Sequence, residues 1–153
     1  MTSSLSSSEL CAALPSTYET DKALLRSHPK PMEMTDDQAK AIVEAGNRIY
    51  LRQQYSRKFD EQFDECFTED FRIYPETQEE PWIGRKKMRE VAQSEYGDGT
   101  HYMTSIKVLE VHRAGDYLME WSSYEENDSS RGYFAVLWRF DNGQWRRMRD
   151  ICN

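Results

Sequence analysis

The most constraining feature of the sequence is a change of hydrophobic period near residue 101. Before it, apolar residues recur mainly at helical spacing, and after it they alternate with polar residues as in strands. The alternating part divides into the runs Tyr102–His112, Tyr117–Glu126, Arg131–Phe140 and Gln144–Cys152. Asp141-Asn142-Gly143 separates the last two runs and is typical of a tight hairpin turn. The sequence therefore predicts an α+β fold, in which N-terminal helices pack on one face of an antiparallel sheet.

A capping-box pattern marks the first long helix. Thr35 is followed by Gln38, and apolar residues then continue at helical spacing to about Gln54. Two further helices are predicted, a short one with phenylalanines on one stripe and a longer one that opens at Gly84 and ends near Gly97. Short strands are expected at Phe71–Tyr74 and Trp82-Ile83. We expect one folded domain over residues 35–153.

Residues 1–34 have the composition of a flexible tail. Serines crowd the first eight residues, and Pro15, Pro29 and Pro31 interrupt the rest. A short helix at Leu10–Leu14 or Asp21–Ser27 stays open as an alternative.

Charge and cysteine content exclude several classes of protein. The formal net charge of −7 disfavours a bulk-basic nucleic-acid binder and a protein held on anionic lipid. The apolar runs are far shorter than the ~20 residues of a membrane span, and no secretory signal is recognisable. Three cysteines without a CxxC pair suit a reducing compartment, so we expect a cytoplasmic protein.

The third long strand is apolar on both faces. Phe134, Val136 and Trp138 fall on one face, and Tyr133 and Leu137 on the other. One layer of helices covers only one face of a sheet, so the second face needs a partner. The sequence predicts a homodimer through this outer face.

Four stretches in this order resemble the nuclear transport factor 2-like superfamily, and more narrowly its SnoaL-like branch. They cover about residues 36–153 and are 58–71 (KFDEQF to FTEDF), 82–88 (WIGR with Met88), 101–105 (HYMTS) and 142–150 (NGQWR to Asp150). The resemblance implies a cone, in which a strongly curved antiparallel sheet wraps the N-terminal helices around a pocket. The superfamily hosts enzymes and non-catalytic modules, so the fold alone does not assign a function.

The resemblance implies a small-molecule pocket that needs no cofactor and no metal. An apolar carbonyl or hydroxyl compound would undergo elimination or isomerisation there, as in a dehydratase or isomerase. His101 and Asp150 are the proton-transfer candidates, because an imidazole and a buried carboxyl both titrate near neutral pH. Tyr50 and Tyr55 lie near the end of the first long helix, where related enzymes place a pocket tyrosine; Tyr55 is the better candidate, since Tyr50 also suits the core.

Large side chains on the predicted strands are candidates for the pocket wall. Met148 shares the face of Asp150 by period two. Core packing is the alternative for most of the aromatic residues. The substrate-binding candidates are Tyr74, Trp82, Tyr102, Trp121, Phe134, Trp138 and Met148.

Two positions depart from the dehydratase-type pattern. Lys58 stands where those members carry an acidic residue, and Ser105 stands where their strand motif ends in Asn. These departures favour the alternative of a non-catalytic homodimerisation or protein-interaction domain. A salt bridge to Arg146, or to an arginine of a neighbouring strand, is likewise the alternative role for Asp150.

Overall fold

The computed structural model describes residues 5–75 and 80–152. Five helices precede or interrupt the strands, and a short 3₁₀ turn covers Pro31–Glu33. The helices are α1 (Ser7–Ala12), α2 (Tyr18–Arg26), α3 (Asp36–Ser56), α4 (Phe59–Cys66) and α5 (Gly84–Tyr96). The strands are β1 (Phe67–Tyr74), β2 (Trp82–Ile83), β3 (Met103–Ala114), β4 (Tyr117–Glu126), β5 (Arg131–Asp141) and β6 (Gln144–Cys152).

The strands form one six-stranded sheet in the order β2-β1-β6-β5-β4-β3. Strands β3 to β6 are an antiparallel meander, as their period-two pattern predicted. The sheet is curved rather than closed, and helices pack in its hollow, so the α+β prediction is confirmed. One detail differs, because β1 joins β6 in parallel and makes the sheet mixed.

Helix α3 is the central helix and follows its sequence signals. Thr35 forms the predicted capping box with Gln38, and the helix ends at Arg57, whose φ of 54° is left-handed. Its buried face carries the apolar residues that the helical spacing indicated. Gly46 lies on this face against Trp138, so close that a Cβ there would lie 2.4 Å from the indole ring.

The described part of the N-terminal segment differs from the flexible tail that composition predicted. Residues 7–26 form α1 and α2, and both pack on α3. Leu25 belongs to the main core, and the fully buried Asp21 is paired with Arg48 at 3.0 Å. The segment needs no core of its own, because it completes the core of the domain and docks through a buried ion pair. Composition rules do not register such contacts.

A β-bulge interrupts β6 and decides which of its side chains face the helices. Leu137 on β5 pairs with Arg149, but the next residue, Trp138, pairs with Arg147, so Met148 is the additional residue. In a regular strand residues three apart point to opposite faces. The bulge brings Arg147 and Asp150 to the same side, where both are buried.

The outer face of the sheet is exposed and carries large apolar residues. Tyr74, Ile151, Ala135 and Trp121 follow one another across β1, β6, β5 and β4 in register. Trp121 is 43% exposed and the neighbouring Tyr133 is 64% exposed. The two-faced apolar pattern of β5 is therefore present in the structure.

Candidate functional site

A cavity of about 370 Å³ lies between α3, α5 and the inner face of the sheet. Most of its wall is aromatic or aliphatic, with a few polar groups among them. The apolar wall includes Phe67, Phe71, Trp82, Tyr124 and Phe134, and the charged groups are Glu95, Glu126, Arg147 and Asp150. An apolar cavity with a few convergent polar groups is the usual form of a small-molecule site.

Asp150 is the buried carboxyl of this cavity. Burial raises its pKa to about 6, although the nearby Arg147 guanidinium acts in the opposite direction. Arg147 Nη1 lies 3.9 Å from Asp150 Oδ2, and the Cys152 thiol donates to Oδ1 at 3.5 Å. The carboxyl therefore changes protonation close to neutral pH, which suits a group that exchanges protons with a ligand.

Glu120 is a second buried acidic residue, and hydrogen bonds through Asn47 connect it to Arg147. Arg147 donates to Asn47 Oδ1, and Asn47 in turn donates to Glu120 Oε2 at 2.6 Å. Ser122 and Trp138 also donate to Glu120, which is fully buried. Asn47 therefore links Arg147 to Glu120 by hydrogen bonds, in addition to the contact of Arg147 with Asp150.

Tyr50 supports the guanidinium from α3. Arg147 Cζ lies 4.6 Å from the centre of the Tyr50 ring, within the range of a cation–π contact. Burial raises the pKa of the Tyr50 phenol, so its hydroxyl stays neutral and can donate or accept a hydrogen bond. Tyr50 also lines the cavity, which makes it the pocket tyrosine of α3.

Arg147 retains an unused hydrogen-bond donor. Its Nε is buried and has no hydrogen-bond partner within residues 5–75 and 80–152. A buried donor without an acceptor is costly. A ligand oxygen in the cavity is a suitable acceptor for the guanidinium.

Another group of polar residues lies at the end of β4. Glu126 lines the cavity and contacts the Nε2 of His101, which lies outside the cavity wall. The His101 ring stacks on Tyr96 with centres 5.4 Å apart and planes at 5°. Burial raises the pKa of both Glu126 and Glu95.

Three of the predicted site residues line the cavity: Asp150, Trp82 and Phe134. The alternative role predicted for Asp150 was a salt bridge to Arg146 or to an arginine of a neighbouring strand. That partner is wrong, because the bulge brings Arg147 of the same strand to 3.9 Å from Asp150. Both members of this pair line the cavity.

Tyr55 and Tyr102 lie together in a separate small cluster. Their rings meet edge to face at 6.5 Å, and Leu10 of α1 covers them. The Tyr55 hydroxyl donates to the Thr104 carbonyl at 3.4 Å. The prediction favoured Tyr55 over Tyr50, but the turn of the helix directs Tyr50 to the cavity.

Four other predicted wall residues lie elsewhere. Tyr74 and Trp121 are on the exposed outer face, opposite the helices. Trp138 is in the core, 1% exposed, with its indole nitrogen bound to Glu120. Met148 is the additional residue of the bulge in β6 and contacts Arg139, so period two fails for it.

The sequence analysis missed Arg147, Glu126, Glu120 and Asn47. One signal was available on β4, where Glu120 and Glu126 share a face with Leu118 by period two. A carboxylate on the core face of a strand indicates a buried polar network or a site. No comparable signal marked Arg147, because its orientation depends on the bulge.

Within the described residues, no cluster of three or more His, Cys, Asp or Glu side chains is arranged to hold a metal ion. None of the helices described in residues 5–75 and 80–152 has both the length and the apolar character needed to cross a membrane.

Solved structures of similar fold are numerous, although their sequences are distant. A cystatin-like-fold protein of unknown function from Nostoc punctiforme has 12% identity, covers 79% of this chain and 93% of its own, and gives a TM-score of 0.63. A nuclear transport factor 2-like protein of unknown function from Silicibacter pomeroyi has 15% identity, coverages of 78% and 98%, and a TM-score of 0.62. A nuclear transport factor 2-like protein from Cytophaga hutchinsonii has 9% identity, coverages of 74% and 96%, and a TM-score of 0.57.

No protein-family model matches the sequence, and no curated protein matches it either. The structural likeness shows that this chain has the nuclear transport factor 2-like fold, as its motif order predicted. At these identities the likeness defines the fold and leaves the chemistry to the site.

Proposed function

We propose that this protein binds a small, largely apolar carbonyl or hydroxyl compound in its cavity, and that Asp150 exchanges a proton with it. The reaction class is a cofactor-independent isomerisation or elimination, of the kind that the SnoaL-like resemblance implies. The observation that carries the proposal is a carboxyl of raised pKa, beside a buried arginine, in the wall of an apolar cavity of about 370 Å³.

In the isomerisation of a β,γ-unsaturated ketone, the Asp150 carboxylate removes a proton from the carbon that lies between the carbonyl and the C=C bond. The electron pair of the broken C–H bond moves into the enolate, whose oxygen accepts hydrogen bonds from Arg147. Protonated Asp150 then returns the proton to a different carbon, so the double bond shifts and no other reactant is consumed. A pKa of about 6 lets the same carboxyl act first as base and then as acid.

The network behind Arg147 suits this role. Asn47 and Tyr50 hold the Arg147 guanidinium in place while Asp150 changes protonation. A preorganised cation at the position of the developing negative charge is the main electrostatic device of such reactions.

The test uses cyclohex-3-enone, whose conversion to the conjugated cyclohex-2-enone is followed by ultraviolet absorbance. Asp150→Asn retains the size of the side chain but cannot remove a proton. We expect a loss of ~10²-fold or more in rate, the usual contribution of a positioned general base. Asp116→Asn, at an exposed turn residue outside the cavity, is the matched control.

Binding is measured separately by NMR with 2-octanone, which does not depend on turnover. Chemical-shift changes confined to cavity residues support the site. Unchanged spectra with the ketone and equal rates for the wild type and Asp150→Asn would remove the proposal.

The alternative, a non-catalytic homodimerisation domain, is supported by the outer face of the sheet. Trp121, Tyr133 and Ile151 are exposed there on neighbouring strands. We propose that a second copy of the chain covers this face, which is compatible with a ligand in the cavity on the opposite side.

Light scattering after size-exclusion chromatography measures the oligomeric state. We expect a dimer for the wild type and a monomer for Trp121→Glu combined with Tyr133→Glu. Met32→Glu is the control, since Met32 is 90% exposed and lies outside the sheet. A monomeric wild type at micromolar concentration would contradict the proposal.

A further inference from the structure

The cavity has a second polar end, which the proposed proton transfer at Asp150 does not use. Glu126, the last residue of β4, lines the cavity, and its carboxylate contacts His101. Glu95 of α5 lines the same cavity, and Tyr96 beside it stacks on the His101 ring. His101 was predicted to meet the ligand directly, but Glu126 is the member of the pair that reaches the cavity.

Strand register places this end far from Asp150. Asp150 pairs with Val136, and Val136 pairs with Glu120 on β4. Glu126 lies six positions further along β4, which corresponds to about 20 Å of extended strand. Asp150 and Glu126 therefore lie at different places along the cavity wall.

The wall between the two ends is apolar. Next to Asp150 on the cavity side of β6 is Cys152, which pairs with Phe134 on β5. Tyr124 on β4 lies between this pair and Glu126. A ligand that fills the cavity must present an apolar body to this middle section. The two ends differ in chemistry, because Arg147 supplies donors at one end and Glu95 and Glu126 supply acceptors at the other.

The partly buried Glu126 carboxylate needs donors to compensate its lost hydration. His101 approaches one carboxylate oxygen, Oε2, and the cavity opens beside the residue. A hydroxyl or amine of the ligand is the complementary group, whereas a ligand carboxylate at this end would meet two acidic side chains. The raised pKa of Glu126 agrees with a carboxylate in a poorly solvated place.

We propose that Glu126 is a specificity-determining residue that binds a hydroxyl or amine at the far end of an elongated ligand. His101 is a positioning residue, held flat on Tyr96, that directs the Glu126 carboxylate. The inference rests on the proposed function and deepens it: the ligand carries an oxygen at the Asp150 end, an apolar body, and a hydrogen-bond donor at the Glu126 end.

The experiment compares 1-octanol with octane-1,8-diol by isothermal titration calorimetry on the full chain. We expect the wild type to bind the diol about tenfold more tightly, because a hydrogen bond to a charged acceptor contributes roughly that much. Glu126→Leu should abolish the preference, so that the diol and octanol bind with similar affinity.

Glu126→Gln is the second variant, since it keeps the side-chain shape and one oxygen acceptor, and it should retain part of the preference. Glu125→Leu is the matched control, because Glu125 is an exposed neighbour on β4. His101→Ala should reduce the preference for the diol without changing octanol binding, a pattern that a purely structural role would not produce.

The outcomes separate the two proposals. If the wild type binds neither alcohol, the cavity is not a ligand site and both proposals fail. If it binds both alcohols equally, or if Glu126→Leu keeps the tenfold preference, this inference is overturned while the proposed binding at the Asp150 end remains.

Discussion

Replacing Asp150 by Asn removes a carboxyl whose ionisation is opposed by burial. In the native protein its pKa is raised from 3.8 to about 6, with burial as the largest cause. In the unfolded chain the carboxyl is solvated and titrates near its ordinary value. The variant has the same shape at this position but no proton to lose.

The difference of about two pKa units corresponds to about 3 kcal/mol in the free energy of unfolding. Between pH 3.8 and about 6 the native state keeps its proton while the unfolded state loses it. The native state binds more protons in this window, so the stability of the wild type falls as pH rises. The contribution is complete below pH 3.8 and is lost above about 6.

Urea unfolding followed by tryptophan fluorescence, repeated across this pH window, measures the effect. The stability of Asp150→Asn minus that of the wild type should increase by about 3 kcal/mol from the acid to the neutral end. Taking the difference cancels the titration of all other groups, and Asp116→Asn should show no such trend. A difference that is constant with pH would refute the raised pKa and the mechanism built on it.

Three further changes test a core contact, a buried ion pair and a hairpin turn of the fold. Gly46→Ala should destabilise the protein by about 1–3 kcal/mol in thermal unfolding, because the new Cβ collides with Trp138. Asp21→Ala should cost about 3 kcal/mol in urea unfolding and expose α2 to proteolysis, because it leaves Arg48 without its buried partner. Gly143→Ala should cost about 1–2 kcal/mol in thermal unfolding, since φ is +85° there, and an unchanged stability would contradict the turn geometry.

The buried network gives a physical reason for the acidic residues on the core face of β4. Glu120 is fully buried, yet three donors from Asn47, Ser122 and Trp138 compensate its lost hydration. Its role is to hold the chain of contacts that ends at Arg147. The site therefore depends on residues that never touch the cavity.

The N-terminal helices matter to the site because they hold α3. Asp21 on α2 pairs with Arg48, and α1 covers the cluster around Tyr55. Asn47 and Tyr50, the two residues of α3 that contact Arg147, lie within the same stretch of helix. The segment that composition predicted as a tail thus supports the helix that carries the site.

Lys58 and Ser105, which depart from the dehydratase-type pattern, both lie outside the cavity wall. Lys58 precedes α4 and pairs with Glu61 at 4.0 Å, both well exposed. Ser105 is an exposed residue of β3. Neither lines the cavity, so these two departures do not change its wall.

Local sequence signals alone determined most of the elements. The capping box at Thr35, the turn at Asn142-Gly143 and the alternation of β4 and β5 are short-range patterns, and short-range sterics and hydrogen bonds produce them. The order of these elements predicted the α+β class. The resemblance of four motifs to the superfamily then supplied the fold and the pocket candidates, of which Asp150, Trp82 and Phe134 line the cavity.

Tertiary structure alone decided the rest, because the remaining features depend on contacts between distant residues. The bulge at Met148 arises from the pairing of β5 with β6, and it turns Arg147 and Asp150 to one side. The parallel pairing of β1 with β6 and the docking of α2 through Asp21 likewise join segments far apart in the chain. The sequence identified Asp150 as a candidate. Only the folded chain shows that Arg147 is its partner, and that Glu126 rather than His101 lines the cavity.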